Sequence, residues 1–98
     1  MTNLLILGAG GHGHVVAETA RAMRYSDGNP IYNKIDFLDD LKSEALGKLQ
    51  DLPLLKKEYQ EVFPAVGDYG KRLELYAKAK RFGFSVPVLI HPEAYVSP

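Results

Sequence analysis

Cysteine is absent from the 98 residues, which excludes disulfides and cysteine-ligated metal and is compatible with a reducing compartment. Excess charge of either sign is absent too: Lys and Arg number 12 against 12 Asp and Glu. No global field therefore draws the chain to nucleic acid, and the six tyrosines are dispersed rather than gathered into a base-stacking platform. No apolar run approaches the roughly 20 residues of a membrane span. Met1-Thr2-Asn3 leads straight into an apolar segment without a basic n-region or cleavage signal, so cytoplasm is the expected location. No serine or cysteine occupies a recognisable elbow or triad, and no further Asp, Glu or His at ligand spacing joins the neighbouring pair Asp39-Asp40. No catalytic residue and no metal site is predicted. The 46% hydrophobic content suffices for one packed domain, which is small for an enzyme with a substrate domain of its own.

What the chain does have is Gly8-Ala9-Gly10-Gly11-His12-Gly13, directly after the apolar run Leu4–Leu7 and directly before a helix-like segment, Val15–Met23. A bare G-x-G-x-x-G is a weak pattern, and a preceding strand and following helix give it meaning. Gly8 permits a tight turn, Gly10 lets backbone approach a ligand, and Gly13 lets the helix sit close on the sheet. The free N–H groups and positive end of that helix favour an anionic guest, most simply a diphosphate.

The continuous apolarity of Leu4–Leu7 predicts a strand covered on both faces. Val16, Ala20 and Met23 keep helical spacing, and the cluster Ser26-Asp27-Gly28-Asn29-Pro30 stops that helix. Ile31–Leu38 predicts a second strand ending at Asp39-Asp40. Between Lys42 and Tyr59 the signals are a short helix at Ser43–Leu46 and a Pro53-Leu54-Leu55 step of edge-strand or turn type. Val62–Gly67 predicts another strand, at an edge or irregular because Pro64 has no N–H. Asp68 is the predicted N-cap of a helix with Leu75, Ala79 and Phe82 on one face, Glu74 and Lys78 paired on another, and Gly83 as terminator. Val86–Ile90 predicts a last strand, before His91 and the exit to Pro98. This alternation predicts a small Rossmann-like, three-layer α/β domain with a mostly parallel sheet. At its carboxyl edge the glycine loop, Asp39-Asp40, Gly67-Asp68 and His91 are expected to emerge.

Within that frame, an acid ending the second strand can accept hydrogen bonds from ribose: Asp39 lies beyond, and Asp36 nearer, the usual dinucleotide spacing of about 20 residues. Either can equally be a solvated acid. His12 suits polar contact with a ligand as neutral imidazole, while His14 reads as a helix-surface residue. Arg72, one turn into the second helix, can reach a phosphate or carboxylate with its planar fork, or pair with a surface acid. These residues alone leave open a stand-alone NAD- or CoA-binding regulatory module, for which the glycine loop and Asp36 suffice.

Taken together, Leu5–Glu18, Asp36-Phe37-Leu38-Asp39-Asp40, Ala65-Val66-Gly67-Asp68 with Arg72, and Leu89–Pro98 give a more specific pattern than the glycines. Nearly end to end, the chain resembles the N-terminal domain of bacterial sugar acyltransferases of the PglD and sialic-acid O-acetyltransferase type. The resemblance implies a domain that binds a nucleotide sugar, typically a UDP-amino sugar. It would lay Gly10, Gly11, His12 and Gly13 along the diphosphate, Asp39 and Asp40 near the nucleoside, and Gly67 with Asp68 beside the cleft. It also implies a second domain, a left-handed β-helix of hexapeptide repeats that brings acetyl-CoA, homotrimer contacts and a histidine general base. Pro98 falls where the first hexapeptide turn would begin. These residues are therefore expected to bind without transferring and to need no cofactor themselves.

Overall fold

A computed structural model describes residues 2–89. Thr2–Leu7 forms the central strand, β1, with Leu4, Leu5, Ile6 and Leu7 wholly buried. It is flanked by Tyr32–Leu38 (β2) on one side and Glu61–Pro64 (β3) on the other, both parallel to it, in the order β2-β1-β3. Successive side chains of a strand face opposite ways. Accordingly Leu4 and Ile6 pack with Val16, Ala17 and Ala20 of helix α1 (Gly11–Ala22), while Leu5 and Leu7 pack with Leu75 and Ala79 of helix α2 (Tyr69–Arg81). One helix thus covers each face, giving the three-layer α/β arrangement. Burying each of these aliphatic side chains is worth about 1.5–3 kcal/mol, so β1 anchors both layers.

Several expectations need amendment. Helix α1 begins at Gly11, four residues before Val15, so the second half of the glycine motif is its first turn. Ser43–Leu46 is not a helix. Leu46 N–H donates to Phe37 O at 2.8 Å and Asp39 N–H to Gly47 O at 3.0 Å, so that segment folds back along the end of β2. Leu46 N–H is thereby lost to the bond it would make with Lys42 O in a helix, and four residues cannot offset the cost of nucleation alone. Leu49–Leu55 instead forms a 3₁₀ helix that contains Pro53-Leu54-Leu55 and tucks Leu52 under the sheet on the α2 side.

The strand predicted at Val62–Gly67 starts one residue earlier and ends at Pro64, which lies at its last position on the sheet's outer strand. Helix α2 has the predicted ends: the Asp68 carboxylate accepts from Lys71 N–H at 2.7 Å, and Gly83 has φ +87°. The strand predicted at Val86–Ile90 does not form over its described residues; the chain just before it makes a single parallel bridge, Ser85 with Glu61. Ser85 N–H donates to Gln60 O and Val62 N–H to Ser85 O, and the next rung of a parallel ladder would have to come from the N–H of residue 87. Residue 87 is proline, so the ladder stops. Ile90, His91 and the exit to Pro98 lie outside the described residues.

Two tyrosines, Tyr32 in β2 and Tyr59 just before β3, link the two sides of the sheet across β1. On the α1 face of the sheet, Tyr32 of β2 donates its hydroxyl to Glu61 of β3 at 2.5 Å. On the α2 face, Tyr59 donates to Asp36. Burial first, and then the carboxylate partner, pushes both phenols well above their ordinary value.

Candidate functional site

The register brings the three strand ends level, because Leu7 pairs with both Leu38 and Pro64. Gly8, Asp39 and Ala65 therefore leave the sheet side by side. Gly8 N–H donates to Leu38 O and Ala65 N–H to Leu7 O, both at 2.8 Å. The chain runs from β1 through α1 to β2 on one side, then returns to β3 and α2 on the other. This reversal makes the carboxyl end between β1 and β3 the topological switch point, where open α/β sheets take ligands.

The glycines divide into two kinds. Gly8 has φ +114°, and a Cβ there would lie 2.8 Å from Ala65 O; at Gly13 a Cβ would lie 1.9 Å from Gly8 O. These two let strand end and helix start meet. At Gly10, Gly11 and Gly67, by contrast, a Cβ would meet nothing within 4 Å. These three border open space, where backbone is accessible to a guest.

Helix α1 carries no acidic residue in its first turn, and its N-cap is Gly10, which has no side chain to offer. The N–H groups of Gly11, His12 and Gly13 find no acceptor among the described residues. Three unsatisfied donors and the positive helix end thus stand at the switch point, where an anion would be stabilised. His12 is exposed on this turn. His14 lies on the helix surface, its ring 4.9 Å from that of Phe37 and its Nε2 3.2 Å from Glu44 Oε1.

Asp39 binds the neighbouring loops together. One carboxylate oxygen accepts from Ala9 N–H at 2.8 Å, and the other from Leu41 N–H at 2.8 Å and Lys42 N–H at 3.2 Å. The bond from Ala9, followed by that from Leu41, holds its carboxyl below the usual carboxylate range. Asp39 thereby fixes the glycine turn relative to the end of β2. Asp40 is exposed; its Oδ1 accepts from Leu49 N–H at 3.0 Å, and it borders a cleft on the α2 side of the sheet. Asp36, the acid nearer the dinucleotide spacing, lies within β2 opposite Leu5 and accepts from Tyr59. Asp68 caps α2, and the Arg72 guanidinium lies over the Tyr69 ring, 5.5 Å from its centroid, with no carboxylate partner among the described residues.

The structure therefore gathers Gly8, Gly10, Gly11, His12, Gly13, Asp39 and Gly67 around the switch point, while Asp40, Asp68 and Arg72 lie on its α2 side. Sequence reasoning overlooked Ala9, whose N–H Asp39 grips, and Lys71, which faces the same cleft as Asp40. Neither carries a local signal. Among the described residues no three His, Asp or Glu side chains come together as a metal site, and no helix is long and apolar enough to cross a membrane.

Comparison with known proteins agrees with this architecture. The acetyltransferase domain of PglB from Neisseria gonorrhoeae, solved in complex with acetyl coenzyme A, is 39% identical with a TM-score of 0.81; the match covers 98% of this chain and 47% of that one. PerB from Caulobacter crescentus, solved in complex with CoA and GDP-perosamine, is 34% identical with a TM-score of 0.74, covering 100% of this chain and 46% of that one. The chain thus spans about half the length of these acetyltransferases. The family model described as the PglD N-terminal domain matches residues 3–79, and the chain belongs to that family.

Proposed function

We propose that this domain binds a nucleotide sugar, with a UDP-sugar as the favoured ligand, and presents it for acetyl transfer by an acetyl-CoA-dependent domain. The observation that carries the reading is the uncapped first turn of α1, where the Gly11, His12 and Gly13 N–H groups have no acceptor among the described residues and Gly10 and Gly11 leave the approach open. A diphosphate supplies the charge and acceptors those donors lack. Asp39 holds the loop in shape, and Gly67 keeps the β3 side open. The complex of the relative PerB with CoA and GDP-perosamine supports a nucleotide sugar as the ligand class.

In the whole enzyme, the sugar amine or hydroxyl attacks the thioester carbonyl of acetyl-CoA. A histidine of a β-helix domain takes the proton, and CoA leaves as the thiol. That domain also supplies the contacts of a homotrimer. The present residues contribute binding and orientation, with no catalytic group of their own.

Calorimetric titration of the purified chain with UDP-sugar, GDP-sugar, NAD and CoA tests the reading. Binding of a nucleotide sugar, lost in Gly11→Ala while the fold is kept, is the expected result. Preference for NAD or CoA would instead identify a regulatory module, and full affinity in Gly11→Ala would remove the diphosphate cradle.

A further inference from the structure

The chain is neutral as a whole, but its charge is unevenly spread. Helix α2 holds five of the 12 Lys and Arg (Lys71, Arg72, Lys78, Lys80 and Arg81) and only one of the 12 Asp and Glu, Glu74. It is therefore a basic helix on a molecule whose other residues are net acidic. Its apolar residues are divided as well. Leu75 and Ala79 are buried against the sheet, whereas Tyr69, Leu73 and Tyr76 are 65%, 50% and 45% exposed.

At about 100° per residue, positions 69, 73, 76 and 80 fall in one stripe, turned away from Leu75 and Ala79. Cations accompany its rings: the Arg72 guanidinium lies over Tyr69, and Lys80 Nζ stands 5.7 Å from the Tyr76 centroid. The one acid of the helix is elsewhere, since Glu74 pairs with Lys78 at 3.5 Å and both line the cleft on the other flank. We propose that this outward stripe of α2 docks the domain on an anionic phospholipid surface.

Charge complementarity argues for it first. A cluster of about four to eight Lys and Arg on an amphipathic helix is the pattern that an anionic leaflet attracts, and α2 has five. Tyrosine suits the same boundary, with an apolar ring to bury at headgroup depth and a hydroxyl to keep wet. Shape and symmetry then separate the candidates. A peptide is held in a groove or at a sheet edge, whereas the stripe runs along a helix of 13 residues, about 20 Å of ridge that a flat surface can meet throughout. A second copy joined through the same face would set cations against cations across the two-fold axis. Helix α1 covers the opposite face of the sheet, so its first turn stays clear of the lipid and open to a ligand.

The test is cosedimentation of the chain with vesicles of phosphatidylcholine alone or mixed with an equal amount of phosphatidylglycerol. Binding to the mixed vesicles only, falling as salt is raised, is the expected result. Lys80→Gln and Arg81→Gln should each weaken it roughly fivefold, and Leu73→Gln and Tyr76→Gln should weaken it as well. All four side chains are exposed, so the variants should keep the wild-type unfolding midpoint. A measurement on the wild type alone locates the contact: a spin-labelled lipid should broaden the amide signals of Leu73 and Tyr76 and spare those of Gly11, His12 and Gly13. Binding to neither vesicle, equal binding to both, wild-type partition in all four variants, or broadening centred on another element overturns the proposal. Tighter capture by a polyglutamate peptide or a DNA duplex than by the mixed vesicles also overturns it, and assigns the stripe to an acidic protein or to nucleic acid instead.

Discussion

Replacing Gly13 by alanine isolates the contact on which the glycine turn is built. The added Cβ would lie 1.9 Å from Gly8 O and 2.9 Å from Gly8 C, where real contacts stay above 3.0 Å. Gly8 cannot give way: its N–H is fixed to Leu38 O at 2.8 Å, and its positive φ leaves little freedom. Helix α1 must therefore retreat from the strand end by about 1 Å or more, an overpacking that typically costs 1–3 kcal/mol. The retreat also loosens Val16, Ala17 and Ala20 against Leu4 and Ile6. Alanine's higher helix propensity returns up to about 1 kcal/mol, leaving a net loss of about 1 kcal/mol. For a domain of this size that lowers Tm by roughly 4–8 °C. Thermal unfolding followed by circular dichroism, with urea midpoints as a second measure, reads the change. A variant within about 2 °C of wild type would show that helix and strand do not meet as described.

Gly11→Ala is the companion experiment: its Cβ enters open space, so stability should stay within about 0.5 kcal/mol of wild type, while calorimetry records the loss of nucleotide binding. Asp39→Asn leaves one acceptor oxygen where Ala9, Leu41 and Lys42 need two, and is expected to cost about 1–3 kcal/mol in urea unfolding. Because the folded state depresses the Asp39 pKa, its stabilisation is present above the ordinary carboxylate value and is lost as pH falls through the folded value; the acid limb of the stability curve should therefore flatten in the variant. Tyr59→Phe leaves Asp36 without its hydroxyl donor, again at about 1–3 kcal/mol. Folding raises the phenol pKa above its ordinary 10.0, so the wild type keeps that contribution below pH 10 and loses it progressively above, a decline that pH-dependent unfolding should find reduced in the phenylalanine variant.

What was legible in the sequence followed from local chemistry. The Asp68 cap, the Gly83 stop and the two close-packing glycines each answer to a conformation or bond within a few residues, or to the strand-turn-helix context itself. The start of α1 was misplaced for the converse reason. Glycine costs a helix about 1 kcal/mol per residue, so Gly11 and Gly13 read as loop, and only packing of Gly13 on the strand end draws them into the first turn. The strand expected at Val86–Ile90 failed on register. Its residues suit a buried strand, but which residue must donate the next ladder bond is decided by the pairing of Ser85 with Glu61, 24 positions earlier in the chain. Spacing from the glycine motif likewise could not choose between Asp36 and Asp39, because the choice is made elsewhere, by Tyr59 taking one and Ala9 N–H the other. The same logic governs the site. Its uncapped glycine turn is encoded in six consecutive residues and is readable there, whereas the cleft is assembled from β2's exit, the 3₁₀ helix and α2, three segments brought together by burial of Leu52 and Leu75 against β1. The cleft is therefore a property of packing and cannot be read from the glycine motif alone.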